Sequence, residues 1–320
     1  MESRILLTGG TGFFGRALLR HLLSCGIDTN TSLWVLSRNP KQFQTAHPDL
    51  AVSNRIRYVQ ADIQARESLP WNQSFTHILH AATDSTFGPR LTPLQRFNQI
   101  VEGTTNILDL TVATGARRFL LTSSGGIYGP QPTDLEAIPE DWPGSPPLDQ
   151  ASTAYSQGKR AAEHLCALYR SEYGLETVVA RCFAFVGPDL PLDAHFAIGN
   201  FIHDAISSNA ITVAGDGTPL RTYLDQSDLA RWLWTLLIEG IDGEAYNIGS
   251  EREITIGDLA HLVRDLIAPT KRVRILSEPQ HSGLRSRYVP STNKVQTLHS
   301  LRAKISLEQA IIRTAKRSLT

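Results

Sequence analysis

A glycine-rich segment, TGGTGFFGRALL, follows the first predicted strand and constrains the fold more than any other feature of the sequence. Its glycines satisfy two spacings, G-x-G-x-x-G at residues 10, 12 and 15 and G-x-x-G-x-x-G at residues 9, 12 and 15. Glycine lets the chain turn tightly, brings backbone N–H groups close to a pyrophosphate and packs the next helix against the strand. Because the helix N-terminus would face the phosphates, the segment predicts a dinucleotide site formed by Gly9, Gly10, Thr11, Gly12, Phe13, Phe14 and Gly15. The alternative is a glycine-rich turn without a ligand.

Short β-rich runs alternate with amphipathic stretches through the first half of the chain. Strands are predicted at residues 4–7, 32–36, 56–59, 76–79, 118–122 and 177–180, and the amphipathic stretches include 16–24, 93–114 and 154–173. Repeated strand–helix units imply right-handed crossovers and a parallel sheet covered on both faces. The predicted fold is therefore α/β, a Rossmann-type doubly wound parallel sheet.

The pattern becomes irregular in two places. Residues 129–149 hold six of the 17 prolines and are predicted to form a long loop. After residue 187 the alternation of strands and helices is lost. We therefore predict a dinucleotide-binding domain at 1–187 and 221–250, and a smaller, interleaved C-terminal substrate-binding lobe at 188–220 and 251–320.

Composition excludes several classes of function. Lys plus Arg and Asp plus Glu both number 31, so no overall field attracts a nucleic acid or an anionic membrane surface. The three cysteines, Cys25, Cys166 and Cys182, are far apart, which argues against a disulfide framework and a zinc site. The N-terminal residues resemble neither a secretion signal nor a membrane span. We expect a soluble, cytoplasmic protein without a metal.

The residues after the second predicted strand indicate which dinucleotide binds. A carboxylate there would hydrogen-bond a ribose 2′-hydroxyl, whereas a cation accommodates a 2′-phosphate. The sequence reads VLSRNP, with Arg38 and no nearby carboxylate, which favours NADP over NAD. Arg38 as an ordinary surface residue is the alternative. Arg16 could assist the phosphate, or it could be a solvated position on the first helix.

The segment YSQGK places a phenol and an ammonium four residues apart. One turn of helix brings Tyr155 and Lys159 to the same face, so both can address one small volume. An ordinary surface pair is the alternative, and the rest of the chain has to decide between them.

Several motifs occur in one order along the chain: TGGTGFFG, QADI with Asp62, HAA at 80–82, Asn98 before GTTNIL, LLTSSGGIYG, YSQGKRAAEHL, ARCFAFVGP, GDGTPLRTY and YNIGS. Together they resemble the extended short-chain dehydrogenase/reductase family that acts on nucleotide sugars. The resemblance runs from residue 4 to about residue 265.

The resemblance implies catalytic roles for Ser124, Tyr155 and Lys159. Tyr155 would exchange a proton with a sugar hydroxyl or ketone. Lys159 would lower the pKa of that phenol and bind the nicotinamide ribose. Ser124 would hydrogen-bond the substrate oxygen. Further cofactor-binding positions implied are Asp62, Ile63, Ala81, Ala82 and Asn98, and the substrate-binding positions are Thr83, Ser85, Ser124, Gly125, Gly126, Asn200 and Arg221.

The chain departs from its dehydratase and decarboxylase relatives after Ser124. There the family carries acidic residues, whereas this sequence has Gly125 and Gly126. Ketone reduction or 4-epimerisation needs only the tyrosine and the hydride. With Arg38, this favours an NADP-dependent reductase of a nucleotide-linked 4-keto-6-deoxy sugar, serving surface polysaccharide synthesis. A 4-epimerase with bound NAD is the alternative, and a non-catalytic dinucleotide-sensing protein is a third.

Other positions carry two interpretations each. Arg221 would contact the nucleotide diphosphate, or it would pair with Asp225 or Asp228. The family asparagine after R-x-F is replaced by Ala184, so the phosphate contacts are expected to differ. His195 is a second acid or a hydrogen-bonded loop residue, and Asp84 contacts the sugar or caps the next segment. Cys182 and the run RWLWTLL at 231–237 are predicted to be core. The helices at 93–114 and 154–173 resemble those through which the family forms homodimers.

Overall fold

The computed structural model describes residues 3–83, 90–194, 196–278 and 286–318. Its strands are β1 (Ser3–Thr8), β2 (Thr31–Ser37), β3 (Ile56–Gln60), β4 (His77–His80), β5 (Arg118–Ser124), β6 (Glu176–Cys182), β7 (Phe185–Val186), β8 (Ala210–Val213), β9 (Leu220–Arg221), β10 (Leu224–Asp225), β11 (Ala245–Ile248), β12 (Ile254–Thr255), β13 (Arg272–Ile275) and β14 (Arg287–Tyr288). Its helices are α1 (Phe13–Cys25), α2 (Pro40–Ala46), α3 (Pro93–Ala113), α4 (Ala154–Tyr173), α5 (Ala197–Ser207), α6 (Gln226–Glu239), α7 (Ile256–Ile267), α8 (Asn293–His299) and α9 (Leu307–Ser318).

The central sheet has seven strands in the order β11-β6-β5-β4-β1-β2-β3. Strand β1 pairs in parallel with β2 and with β4, and the β2–β3 and β4–β5 pairs are parallel as well. The chain therefore adds β2 and β3 on one side of β1, and then β4, β5, β6 and β11 on the other side. This order confirms the predicted doubly wound fold, and its switch point lies between β1 and β4.

The apolar content of the strands explains why helices cover both faces of the sheet. In β1, Ile5, Leu6 and Leu7 are all at most 2% exposed, so consecutive side chains on opposite faces are buried. Helix α3 begins at a capping box in which Thr92 and Gln95 each satisfy a backbone N–H of the other. Helix α4 ends at Gly174, which adopts φ 67°. Both helices contribute to the apolar cluster beside the sheet.

The proline-rich segment 129–149 contains neither a helix nor a strand, apart from an isolated bridge between Ile138 and Pro290. This confirms the loop prediction. Cys182 is 5% exposed, and Trp232, Leu233, Leu236 and Leu237 are at most 1% exposed, so the core prediction is confirmed for Cys182 and for these four residues of the run, whose other members are half-buried.

Contacts divide the chain into two compact units. The first consists of Met1–Ile127, Pro146–Arg181 and Ala230–Tyr246, and the second of Tyr128–Ser145, Cys182–Leu229 and Asn247–Thr320. In the second unit, β8 pairs in parallel with β13, and Asn247 accepts a hydrogen bond from the Tyr128 hydroxyl at 2.9 Å. The domain boundaries expected above stay a prediction.

Two negative findings apply to the described ranges. No helix within them is long and apolar enough to cross a bilayer. Within the same ranges, no three His, Cys, Asp or Glu side chains cluster in a way that could hold a metal ion.

Candidate active site

The glycine turn between β1 and α1 is closely packed on its inner side. Gly9 has φ 71°, and a Cβ atom there would lie 2.5 Å from the carbonyl oxygen of Ala81. A Cβ atom on Gly15 would lie 2.2 Å from Cα of Gly10, so the helix can approach the turn only without a side chain. At Gly12, by contrast, a Cβ atom would meet nothing closer than the Gly9 oxygen at 3.4 Å. The turn is therefore closely packed at Gly9 and Gly15 and has free space at Gly12.

The start of α1 fits a phosphate group. Gly12 occupies the N-cap position without a side-chain cap, and the first turn holds no acidic residue. Gly12 therefore offers no side-chain cap to the backbone N–H groups at this end, and the helix dipole favours an anion there. The turn also lies at the switch point between β1 and β4, where doubly wound sheets bind their ligands. The residues present fit the pyrophosphate of a dinucleotide, with Thr11, Phe13 and Phe14 in the same segment.

Hydrogen bonds hold the carboxyl end of β4 against β1. The N–H groups of Ala81 and Ala82 donate to the carbonyl and hydroxyl oxygens of Thr8, both at 3.2 Å. The Thr8 hydroxyl also lies 2.7 Å from Nδ1 of His80. Burial, helped by the charge of Lys159, lowers the pKa of His80 to about 3. His80 is therefore a neutral structural residue behind the site.

Three of the predicted cofactor-binding residues follow β2 and β3. Arg38 is exposed directly after β2. After β3, the Asp62 carboxylate accepts a hydrogen bond from the Gln64 N–H at 3.0 Å. The side chain of Ile63 is buried and lies against Gly103, where a Cβ atom would be 2.6 Å from it.

Tyr155 and Lys159 lie in the first turns of α4. The Lys159 ammonium is 6.0 Å from the centroid of the Tyr155 ring. It donates hydrogen bonds to the Thr122 carbonyl oxygen at 2.7 Å and to the Thr83 hydroxyl at 2.8 Å. The lysine is only 3% exposed, so it is anchored to the ends of β4 and β5 rather than extended into solvent. The structure therefore brings together the phenol, the ammonium and the substrate-binding candidate Thr83.

The end of β5 presents a hydroxyl followed by two glycines. Ser124 is 8% exposed, and its oxygen accepts a hydrogen bond from the Gly126 N–H at 3.1 Å. A Cβ atom on Gly126 would lie 2.7 Å from the Ser156 hydroxyl, the neighbour of Tyr155 in the chain. A side chain at residue 126 would therefore require Ser156 to move, and neither Gly125 nor Gly126 can supply a carboxylate.

One charged neighbour of Tyr155 was not found by sequence reasoning. The guanidinium of Arg96, on α3, lies over the Tyr155 ring with Cζ 4.4 Å from the centroid. The predicted cofactor-binding residue Asn98 lies two positions further along α3 and is exposed. No signal in the sequence identifies Arg96, because its place over Tyr155 follows from the packing of α3 on α4, which also brings Ile100 against Gly158.

In the second unit, Arg221 lies on β9 in a half-buried position. Its guanidinium donates to the carbonyl oxygens of Leu220 at 2.8 Å and Ser286 at 3.2 Å. Burial lowers the pKa of Arg221, opposed by the nearby Tyr223 and Tyr288. The alternative was a pairing with Asp225 or Asp228, and the hydrogen bonds of Arg221 within the described ranges go to other oxygens. Asp225 pairs with Arg313, and Asp228 accepts backbone N–H groups of Lys304 and Ile305.

The remaining predicted positions carry less structural information. Asn200 is exposed on α5. Arg16 lies in the first turns of α1, where its N–H donates to the Gly12 carbonyl oxygen at 2.9 Å. Asp84, Ser85 and His195 lie outside the described residues.

Comparison with known proteins places the chain in a family. Residues 5–249 match the model of the NAD dependent epimerase/dehydratase family. UDP-glucuronic acid decarboxylase 1 of Arabidopsis thaliana is 30% identical over 314 residues, which cover 97% of this chain and 68% of that protein. UDP-glucuronic acid decarboxylase 1 of Danio rerio is 28% identical over 328 residues, covering 98% and 72% respectively.

Solved structures share the fold at lower identity. The dTDP-glucose 4,6-dehydratase of Bacillus anthracis, in complex with NAD, superposes with a TM-score of 0.83 at 22% identity and covers 99% of this chain and 96% of its own. UDP-glucose 4-epimerase of Thermotoga maritima, with UDP-glucose, gives a TM-score of 0.83 at 21% identity, with coverages of 99% and 98%. The chain therefore belongs to the NAD dependent epimerase/dehydratase family and is an NAD(P)-dependent enzyme of the oxidoreductase type.

Proposed function

We propose that the protein is an NADP-dependent reductase of a nucleotide-linked 4-keto-6-deoxy sugar. The observation that carries the proposal is the end of β5, where Ser124 is followed by Gly125 and Gly126. An elimination of water or a decarboxylation aided by an acidic residue needs a further carboxyl group at this place. The chain offers a hydroxyl and two glycines there, so its chemistry is limited to moving two electrons and a proton at one carbon.

The side chains of the site divide that chemistry among them. The nicotinamide, when bound, supplies the hydride to C4 of the sugar. The Tyr155 hydroxyl gives its proton to the C4 oxygen as the ketone becomes an alcohol. Lys159 stabilises the phenolate that remains, and its anchor on Thr122 and Thr83 fixes the position of its charge. Ser124 donates a hydrogen bond to the same sugar oxygen.

The choice of NADP is supported by Arg38. The residue is exposed at the carboxyl end of β2, next to the glycine turn in the sheet order, where a ribose 2′-phosphate would need a cation. A planar guanidinium can bind that phosphate with two parallel hydrogen bonds. We expect Arg38→Ser to weaken NADPH binding at least tenfold and to leave NADH binding unchanged, since one charge-assisted contact contributes about 1.5–3 kcal/mol.

Arg221 supports a nucleotide diphosphate as the other half of the substrate. Among the described residues its guanidinium donates to carbonyl oxygens and the Ser286 hydroxyl rather than to a carboxylate, so its charge stays available for an anion. We assign this role to Arg221 together with Asn200, of which Asn200 lies in the predicted substrate-binding lobe, residues 188–220 and 251–320, and Arg221 directly follows its first segment. Residue 184 is alanine where relatives carry an asparagine, so the phosphate contacts are expected to differ in detail.

A 4-epimerase with tightly bound NAD is the second candidate. Tyr155 and Lys159 are equally suited to taking a proton from a C4 hydroxyl and returning it to the ketone, and the glycines after Ser124 are compatible with that reaction as well. Cofactor turnover separates the two. A non-catalytic dinucleotide sensor is disfavoured, because such a protein has no need of the Tyr155–Lys159 pair.

We also propose that the protein forms a homodimer through α3 and α4. Both helices carry large apolar side chains at the surface, with Leu94 70%, Leu168 48% and Tyr173 53% exposed. A second copy of the same two helices would cover these side chains and close a four-helix contact. Light scattering at micromolar concentration should give twice the mass of the chain, and a monomer would contradict the proposal.

The experiment that tests the function measures the oxidation of the nicotinamide and the change at C4 of the sugar in the same reaction. Purified protein is mixed with NADPH carrying deuterium at the transferable position and with a 4-keto-6-deoxy nucleotide sugar. A reductase oxidises one NADPH for each sugar and places the deuterium at C4. Interconversion of C4 epimers without net nicotinamide oxidation supports the epimerase instead, and carbon dioxide release from UDP-glucuronate would overturn both.

A further inference from the structure

We propose that Arg96 is a positioning residue for the reaction, a second cation that holds the Tyr155 ring and stabilises its phenolate. This inference rests on the proposed function, in which Tyr155 exchanges the proton with the sugar.

The geometry places Arg96 closer to the ring than the family's lysine. Cζ of Arg96 is 4.4 Å from the Tyr155 centroid, whereas Nζ of Lys159 is 6.0 Å away. A guanidinium within about 6 Å over an aromatic face is attracted by the negative face of the ring. The contact joins α3 to α4, and one turn further along Ile100 of α3 lies against Gly158 of α4. Arg96 is therefore held over the ring by the packing of the two helices.

The charge of Arg96 is not neutralised within the described part of the chain. Arg96 is half-buried, its Nε atom is buried without a hydrogen-bond partner, and no described carboxylate forms an ion pair with it. One other cation that lies over a ring is paired with a carboxylate. Arg66, over Trp71, pairs with Asp109. An unpaired guanidinium facing a phenol interacts more strongly with the ionised ring than with the neutral one.

Among the described residues, the second cation beside the Tyr155 ring is Lys159, on the same helix. It donates to the Thr122 carbonyl and the Thr83 hydroxyl, and its charge stabilises the phenolate together with that of Arg96. Behind it at the end of β4, His80 is kept neutral by burial. Glu163, further along α4, is paired with Arg181 and accepts the Ser123 hydroxyl from β5. The end of β5 contributes only hydroxyl groups, Ser123 and Ser124. Arg96 is the cation that α3 contributes.

The prediction concerns the ionisation of one phenol and is measured without substrate. Protein labelled with 3-fluorotyrosine is titrated by fluorine NMR, and the Tyr155 resonance is assigned by its loss in Tyr155→Phe. In Arg96→Met the midpoint of the Tyr155 titration should rise by about half a pH unit to one pH unit, which is a threefold to tenfold weaker ionisation of the phenol. Arg96→Lys should bring the midpoint part of the way back to the wild-type value. Arg57→Met is the matched control. Cζ of Arg57, on β3, lies 5.2 Å from the ring centroid of Trp34, on β2, away from Tyr155.

The outcomes separate this inference from the proposed function. A midpoint in Arg96→Met equal to that of wild type and of Arg57→Met would overturn the role of Arg96, whatever happens to activity. If the midpoint shifts in Arg96→Met but Tyr155→Phe keeps its turnover, the electrostatic role of Arg96 is retained and the proposed function is overturned. If Arg96→Met does not fold, Arg96→Gln keeps the polar side chain without the charge and decides the question. In kinetics, the pH profile of kcat should move with the midpoint, whereas an effect on KM alone would mean that Arg96 binds substrate.

Discussion

Removing the Lys159 ammonium tests how much of the phenol's acidity this chain supplies by electrostatics. The charge lies 6.0 Å from the centroid of the Tyr155 ring. At that separation, the positive charge of the ammonium and the negative charge of the phenolate attract each other by about 3 kcal/mol at an effective dielectric constant of about 20. Because one pKa unit corresponds to about 1.4 kcal/mol, Lys159→Met should move the ionisation of the phenol upward by about two pH units.

The assay is the reverse reaction, oxidation of the sugar alcohol with NADP, because it requires the deprotonated phenol. The acid limb of the kcat profile should move to higher pH by about two units, so turnover near pH 7 should fall about 100-fold and recover as the pH is raised. Lys271→Met is a suitable control, since the Lys271 ammonium also donates to a buried carbonyl, that of Ala205 at 2.7 Å, on the second unit. Binding of NADP and thermal unfolding are measured in parallel, because the freed Thr122 carbonyl costs about 1–3 kcal/mol of stability.

Two results would refute the electrostatic reasoning. A fall in kcat that is equal at every pH would mean that Lys159 acts by holding the cofactor or the fold. An unchanged profile would mean that the 6.0 Å separation is effectively screened by water.

Three further predictions follow from individual contacts. Gly9→Ala should abolish NADPH binding, because its Cβ atom would lie 2.5 Å from the Ala81 carbonyl oxygen. The control variant Gly26→Ala, at a similar φ of 78° with open space around it, should bind NADPH normally in a fluorescence titration. Equal binding by both variants would contradict the close packing of the turn at Gly9. Arg221→Gln should weaken binding of UDP at least tenfold without changing NADPH affinity, while Arg252→Gln, which only breaks an exposed pair with Glu308, should change neither by calorimetry. His80 has its pKa lowered to about 3 by burial, so its contribution to stability is complete above pH 6.5 and is lost as the pH falls toward 3, where the folded state also binds the proton. Chemical unfolding of His80→Gln should therefore depend less on pH in that window than unfolding of wild type, and identical slopes would count against a neutral buried histidine.

The sequence predicted the sheet well because its signals are local. Runs such as residues 4–7 and 118–122 are apolar and β-rich, and the structure places strands Ser3–Thr8 and Arg118–Ser124 there. The helix at 154–173 was predicted with both of its ends, since Gly174 marks the stop. The glycine turn was recognisable from the spacing of its glycines, and the structure shows a separate steric demand at Gly9, Gly10 and Gly15.

The surroundings of Tyr155 could not be predicted in the same way. Which residue of α3 meets the phenol depends on how α3 and α4 pack along their lengths, and no local pattern in either helix specifies that. Arg96 reads as an ordinary surface arginine, while the family pattern drew attention to Asn98, which is exposed. The anchoring of Lys159 on a main-chain oxygen of β5 is equally hidden, because any residue supplies such an oxygen.

The measurement closest to the centre of the account compares cofactor binding with turnover in Tyr155→Phe. The substitution removes one oxygen and leaves the ring under Arg96 and beside Lys159 in place. The account predicts an unchanged Kd for NADPH and a kcat lower by about 10²–10⁴-fold, the usual contribution of a general acid. A variant that binds NADPH normally and turns over at close to the wild-type rate would show that the proton comes from elsewhere.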